Sequence, residues 1–357
     1  MSDSQRYLSI DLLRGASLTA MLLVSSRSPF GQLRHGTWFK VTIADLVYPS
    51  FLLLVGISMA ISIDRGLARG ESRRQLTQRM VRRLSSLFTI GLVLSSLAAH
   101  ELRLSLGTFQ SIAIASLFAF PAAFLSWPQR LVYLSVGLAS ATVLLHFGAE
   151  TPANVWHPYG NFAERIDLLV LGKYRGVEGI LGSIFSALFV VLGLVLGAWL
   201  QHESERIWLT RIALLALFGL SVGEGMTYIH SGTILPIPVV SRLISASFFL
   251  QAGSLLVSLV AIAFYLVESR SLPAFLSPIA NVGANPLAIY CGVKIFQEVV
   301  LRYSIGSPPM QIAETLRYLS TSLVGAELAA LTIPVVKLVV AFSLASFLFR
   351  KKLQIKI

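Results

Sequence analysis

Residues 34–63 read RHGTWFKVTIADLVYPSFLLLVGISMAISI. From Thr42 to Ile63 the stretch forms one apolar run, and as a helix it would extend about 33 Å at 1.5 Å per residue, enough for a hydrocarbon core of about 30 Å. It therefore reads as a membrane span with unusual chemistry at its mouth. Asp45 lies about one turn inside, where a carboxylate without a partner is costly. His35 precedes it by ten residues, Trp38 lies between them, and Pro49 removes a backbone hydrogen bond and predicts a bend or a pocket.

The rest of the chain repeats the apolar theme. Of 357 residues 55% are apolar and 13% charged, against roughly 25% charged in soluble proteins, so lipid is the main solvent. Apolar runs predict ten spans, near 8–25, 42–63, 84–99, 107–126, 131–147, 179–200, 211–229, 243–267, 281–300 and 326–349. The fold class expected is all-α, a polytopic membrane bundle forming one integral-membrane domain over 1–357. No linker rich in Pro, Gly or Ser and no internal repeat divides it. The first apolar run, Ala16–Val24, lacks a small-residue cleavage site and follows Asp11 and Arg14, so it reads as a retained span and not as a signal peptide.

Cations orient the bundle. With both termini cytoplasmic, most Lys and Arg fall in inner segments, above all RGLARGESRRQLTQRMVRR (65–83) and the tail RKKLQIKI (350–357), as the positive-inside rule requires. A net charge of +12 beside spans points to anionic lipid headgroups, not nucleic acid. This topology places His35 on the outer side. The long polar stretches at 148–178 and 301–325 lie on the same side, and loops of that length carry function or structure of their own.

Polar groups in or beside spans are the candidates for chemistry. A carboxylate that orients an imidazole makes histidine a general base, so His35 and Asp45 form the candidate catalytic pair. Arg14 and Asp11 share a helix face, either as a local ion pair or with Arg14 lining a cytoplasmic entrance for phosphate. Glu178 stands at the outer start of the sixth span, as a dipole-favoured acid or a functional one. Asn285 and Pro286 mark a helix start, which can bind an anion. Gln110 is a polar group in an apolar run. The six histidines lack metal-ligand spacing, so no metal is expected, and the lone Cys291 excludes an intramolecular disulfide.

The stretch at 34–63 resembles the heparan-alpha-glucosaminide N-acetyltransferase family of membrane acyltransferases. The family's motif, roughly H-x-x-W-x-x-x-T-x-x-D-L-V-x-P-x-F and a later glycine, is met by His35, Trp38, Thr42, Asp45, Leu46, Val47, Pro49, Phe51 and Gly56. SIDLLRG (9–15), EGILG (178–182) and GANPLAIYCG (283–292) are similar to further family motifs. The resemblance implies acetyl-CoA as cytoplasmic donor and a sugar or glycan acceptor on the outer side. It implies His35 as a base or a transiently acetylated carrier, and it suggests a homodimer. On this reading acceptor contacts are expected from Trp38, Glu178, Ser25 and Arg242, and donor contacts from some of Arg14, Arg82, Arg83 and the helix start at Asn285, with Gln110 as a further candidate on the donor side. A bacterial-type relative in the inner membrane, with lipid around it, is the expected setting.

Three positions depart from the family pattern. Ser25 or Ser26 stands where an asparagine is usual, Ser111 follows Gln110 where an arginine is usual, and Ser241–Arg242 replaces a lysine. The acceptor is thereby open to any envelope amine or hydroxyl. Two rival readings remain. A transporter or flippase of an envelope glycan also carries intramembrane charge, but without the repeats common in such folds. Another acyltransferase class keeps its histidine at the end of the first span, where this chain has Ser25.

Overall fold

The structure is a computed structural model that describes residues 7–24, 28–102, 106–172, 179–228, 236–268, 273–306 and 309–355. Its helices are α1 (Leu8–Leu23), α2 (Ile43–Ala68), α3 (Arg73–Ala99), α4 (Thr108–Ala119), α5 (Trp127–Gly148), α6 (Phe162–Leu171), α7 (Gly179–Phe185) and α8 (Ala187–His202). They continue with α9 (Glu205–Tyr228), α10 (Ala246–Glu268), α11 (Ser277–Ala284), α12 (Pro286–Phe296), α13 (Ile312–Ala329) and α14 (Thr332–Arg350). The strands β1 (Ser304–Ile305) and β2 (Met310–Gln311) pair antiparallel.

Among the described residues seven helical segments are long and apolar enough to cross a membrane: α2, α3, α5, α7 with α8, α9, α10 and α14. An eighth is a broken pair, Ala274–Ala284 and Pro286–Leu301, bent by 81°. Apart from the short β1–β2 pair, the regular structure of the described residues is helical, with helices suited to a membrane bundle. The remaining two expected spans fall on shorter helices. Helix α1 has 16 residues, about 24 Å at 1.5 Å per residue, and Thr108–Phe124 is short as well. The expected span at 281–300 is the broken pair, because Asn285 leaves the helical region (φ −135°, ψ 53°) just before Pro286.

Contacts cluster the chain into two compact units: residues 1–36, 42–47 and 260–356 in the first, 37–41 and 48–259 in the second. In the first, α1 lies backbone to backbone on α11. A Cβ on Gly15 would stand 1.8 Å from the Ile279 carbonyl oxygen, and one on Gly283 would stand 1.7 Å from that of Asp11. Two of the motif glycines therefore exist for this close approach, as small residues do in membrane helix pairs. Glu268, at the end of α10, accepts the Ser9 N–H and the Ser9 hydroxyl, both at 2.9 Å, which supplies a partner to the first turn of α1.

In the second unit α8 is the central helix, with every residue from Ala187 to Trp199 buried. On α5, by contrast, Val132, Val136, Val143 and Phe147 face outward as lipid-facing positions. Gly56 of α2 meets α8 closely: a Cβ there would be 2.0 Å from the Val190 carbonyl oxygen, and Gly193 is the reciprocal contact at 2.1 Å from that of Leu53. Gly56→Leu is expected to lower stability by about 3 kcal/mol or more, since backbone cannot yield as a side chain does. Gly225→Ala, with nothing within 4 Å, should be neutral. Melting of the detergent-purified protein checks both, and equal melting temperatures would contradict the packing.

The basic stretch 65–83 is helix, not loop, apart from a short turn before Ser72. Ser72 and Gln75 form a reciprocal capping box at the start of α3. Glu71 pairs with Arg79 and Arg69, which hold its carboxyl below the usual range. Arg130 is buried on α5. Its guanidinium donates to the carbonyls of Ala122 (3.1 Å), Ala123 (2.8 Å) and Leu194 (2.6 Å), which meets the cost of a charge inside the bundle.

Contacts within this unit gather helix ends. Arg73 covers Phe124 at 5.5 Å, Arg211 covers Trp127 at 4.8 Å and Trp199 at 5.5 Å, and Asp64 accepts from Gln201 at 2.8 Å. The end of α2, the start of α3, the start of α5, the end of α8 and the start of α9 thus share one end of the unit.

Candidate active site

The segment before α2 folds around one carboxylate. Asp45 is the third residue of the helix, where an acidic side chain can reach back to the exposed N–H groups of the first turn. Its Oδ2 accepts the Thr42 N–H at 2.9 Å and the Gly36 N–H at 3.1 Å, and its Oδ1 lies 2.9 Å from His35 Nδ1. The Thr42 hydroxyl has a single proton and two acceptors near it. The Arg34 carbonyl at 2.7 Å is closer than Asp45 Oδ2 at 3.1 Å, so the shorter bond clips the loop to the helix start. Gln32 takes a further first-turn N–H, that of Ile43, at 3.1 Å.

This geometry sets the chemistry of His35. The Asp45 side chain is 8% exposed and that of His35 58%, so a buried acid holds an accessible imidazole. A carboxylate can only accept, so Nδ1 carries the proton and the lone pair sits on Nε2. That tautomer can take a proton from an attacking group or itself attack a carbonyl carbon. Pro49 has no N–H for the carbonyl of Asp45, four residues earlier in α2.

Two of the expected acceptor residues come together in the second unit. Trp38 Nε1 donates to the Trp156 carbonyl at 2.7 Å, and the Arg242 guanidinium lies 6.0 Å from the Trp38 ring centroid, within cation–π reach. Trp156 belongs to the long polar stretch after α5, and no sequence signal marks it, because the bond joins positions 118 apart. Trp38→Phe is expected to keep the ring and lose this anchor, worth about 1 kcal/mol. A rise in KM of about fivefold with kcat nearly unchanged checks this, and an unchanged KM would remove Trp38 from acceptor binding. Ser25 and Glu178 lie outside the described residues. Asp167 accepts the Ile180 N–H at 2.8 Å and occupies the space where a Cβ on Gly179 would stand, a capping acid that the sequence reading did not single out.

The expected donor-side residues divide. Arg14 stands 3.5 Å from Asp11, a long contact consistent with the local ion pair. The Asn285 side chain does not cap α12: it donates to the Leu353 carbonyl at 3.1 Å and accepts the Ile355 N–H at 2.9 Å, and so pins the C-terminal segment. Arg82 and Arg83 are exposed on α3. Gln110 is buried and packs on two glycines, with its Oε1 only 2.4 Å from where a Cβ on Gly91 would be and 3.0 Å from one on Gly107. Arg14 and Asn285 belong to the first unit and Arg82, Arg83 and Gln110 to the second. Among the described residues no group of three or more His, Cys, Asp or Glu could hold a metal ion.

Residues 6–166 match the family model described as "Heparan-alpha-glucosaminide N-acetyltransferase, catalytic". The matched stretch contains His35, Trp38, Asp45, Arg14, Arg82, Arg83 and Gln110, whereas Glu178, Arg242 and Asn285 lie beyond it. The chain is similar to heparan-alpha-glucosaminide N-acetyltransferase of Mus musculus, 24% identical over 368 residues, covering 83% of this chain and 54% of the relative. It is similar to the protein of the same name from Homo sapiens at 25% over 362 residues, 82% of this chain and 53% of the relative. The chain spans about half the length of the curated relatives it matches.

Proposed function

We propose that this chain, a membrane protein whose first half matches an N-acetyltransferase catalytic region, is itself a transmembrane acyltransferase. It transfers an acetyl group from cytoplasmic acetyl-CoA to an amine or hydroxyl of a sugar or glycan on the outer side. The observation that carries the reading is the His35–Asp45 pair inside the matched segment. The acceptor's nitrogen or oxygen attacks the thioester carbonyl while His35 Nε2 takes its proton. The carbon–sulfur bond then breaks, and CoA leaves as the thiol with that proton. In the carrier variant Nε2 attacks the thioester carbonyl, the carbon–sulfur bond breaks and CoA leaves as the thiolate; the acceptor then attacks the acetyl-imidazolium, the Nε2–acetyl bond breaks, and the acceptor's proton passes to the thiolate.

Around this step the proposal keeps one integral-membrane domain over 1–357, about ten spans with α1, Thr108–Phe124 and the broken pair among them, and both termini cytoplasmic in a bacterial inner membrane. For the second unit, Arg73 and Arg211 at its shared helix ends support a cytoplasmic assignment of that end by the positive-inside rule. Arg14, Arg82 and Arg83 and the backbone start of α12 are assigned to the donor's phosphates. Trp38, Arg242, Glu178 and Ser25 are assigned to the acceptor, and Gln110 to the packing that supports the donor side.

One observation favours a carrier instead, the broken pair at Asn285, since interrupted helices line transporter sites. Purified protein incubated with labelled acetyl-CoA and an amino sugar separates the readings. Release of CoA with label in the sugar is the expected result. Absence of both, with binding or movement of an envelope glycan, would overturn the enzyme reading.

A further inference from the structure

Helix α6 is inverted in polarity. Its ten residues extend about 15 Å, too short for a span. The buried side holds Ala163 and Asp167, and the Asp167 carboxylate accepts the Ile180 N–H at 2.8 Å. The exposed side holds Arg165, Leu168 and Leu169, which share a face because they stand three and four apart. Leu169 is 81% exposed, and Val170 beside it is exposed as well. A surface helix in water turns its acids outward and its leucines inward. Here the acid is inside and the leucines are outside.

The position of α6 says what covers that face. Within the second unit α6 packs on α5 and α7. The Phe162 ring comes within 2.3 Å of where a Cβ on Gly148 would stand, and Arg165 donates to the Gly148 carbonyl at 3.0 Å. Gly148 is the last residue of α5, which is long and apolar enough to cross a membrane. Near that end Val143, Leu144 and Phe147 are exposed, as lipid-facing residues of a span are. The bond from Arg165 therefore sets the leucine face of α6 beside the end of the lipid-facing stripe of α5. A guanidinium between the two apolar groups suits the level where headgroups begin.

We propose that Leu168, Leu169 and Val170 dock α6 into lipid, at the boundary of headgroups and acyl chains in the leaflet at the Gly148 end of α5. Continuity with the α5 stripe favours lipid over a protein partner. The same polar stretch supplies the Trp156 carbonyl that holds Trp38, so the docked helix ties that contact to the bilayer surface. This docking needs α5 to span the membrane, and needs neither acetyl transfer nor a particular choice of outer face.

The full-length chain in phosphatidylcholine vesicles tests it. Leu169→Cys is made in a Cys291→Ala chain and labelled with bimane. Phe147→Cys and Thr151→Cys, both at exposed positions, serve as lipid and water references. Quenching is read with lipids that carry a doxyl group near the headgroup or near the chain end, and with aqueous iodide. An interfacial helix sits about 5–10 Å into the boundary, so the shallow doxyl lipid should quench the Leu169 label most. Most of the iodide quenching seen at Thr151 should be lost there, and Leu168→Cys should agree. Should Cys291→Ala not be recovered folded, Leu169→Cys in the otherwise wild-type chain, with labelled wild type subtracted, gives the same comparison. Iodide quenching equal to that at Thr151 would put the face in water. Protection from every quencher would mean that protein covers it, a second copy included, and quenching mainly by the deep doxyl lipid would put it in the hydrocarbon core. Each of these three results overturns the docking.

Discussion

His35→Ala is expected to lower the rate of acetyl transfer by at least about a hundredfold, the lower end of what a positioned base supplies. Folding should be spared, because the side chain is 58% exposed and its bond to Asp45 is one of several that the carboxylate makes. In the base mechanism the loss falls on kcat, since the imidazole acts only as the acceptor attacks. In the carrier mechanism the variant also loses the slow release of CoA that occurs without any acceptor. Measuring CoA release with and without acceptor separates the two. Full activity in a folded His35→Ala protein would remove the residue from the mechanism.

Asp45→Asn is expected to cost between about 10² and 10⁴ in rate, although it changes only one atom. The reason lies in the other side of the carboxylate. The Gly36 and Thr42 N–H groups both point at Oδ2, so an asparagine must turn its carbonyl oxygen towards them and its NH2 group towards His35. A donor facing Nδ1 forces the lone pair onto Nδ1 and the proton onto Nε2, the wrong tautomer for a base. Asp45→Ala should lose stability as well, because it abandons the Gly36 and Thr42 donors at the start of α2. The check is kcat alongside melting temperature: Asp45→Asn lowers the first with little change in the second, whereas Asp45→Ala lowers both. An Asp45→Asn protein with normal kcat would mean that the acid only caps the helix.

The pairing of His35 with Asp45 was legible in the sequence because a carboxylate one turn inside an apolar run needs a partner, and the short loop before the helix limits where one can be. That Asp45 also caps α2 is implicit in the T-I-A-D order of residues 42–45, a helix-start pattern. Helix α6 could have been found: Asn161 accepts the Glu164 N–H at 2.9 Å, and N-x-x-E ahead of an apolar run marks a helix start. The break at Asn285 is likewise announced by Asn-Pro, but continuous hydropathy on both sides reads as a single span. Other features had no local signal. The hold of Asn285 on Leu353 and Ile355, the Trp38 bond to Trp156, and the Arg130 bond to the Leu194 carbonyl all join residues far apart in the chain. Such contacts follow from which helices pack together, and periodicity does not encode that. The motif glycines Gly15, Gly56 and Gly283 carried a packing message that only the neighbouring backbones make readable.

The proposed function turns on His35 acting, as base or as carrier, on acetyl groups supplied from the opposite membrane face. Sealed vesicles containing the protein, with labelled acetyl-CoA enclosed on the face of the 65–83 arginines and an impermeant amino sugar on the other, measure this directly. The account predicts labelled sugar outside, dependent on His35, with CoA accumulating inside. Label that appears only when donor and acceptor share one compartment would contradict it.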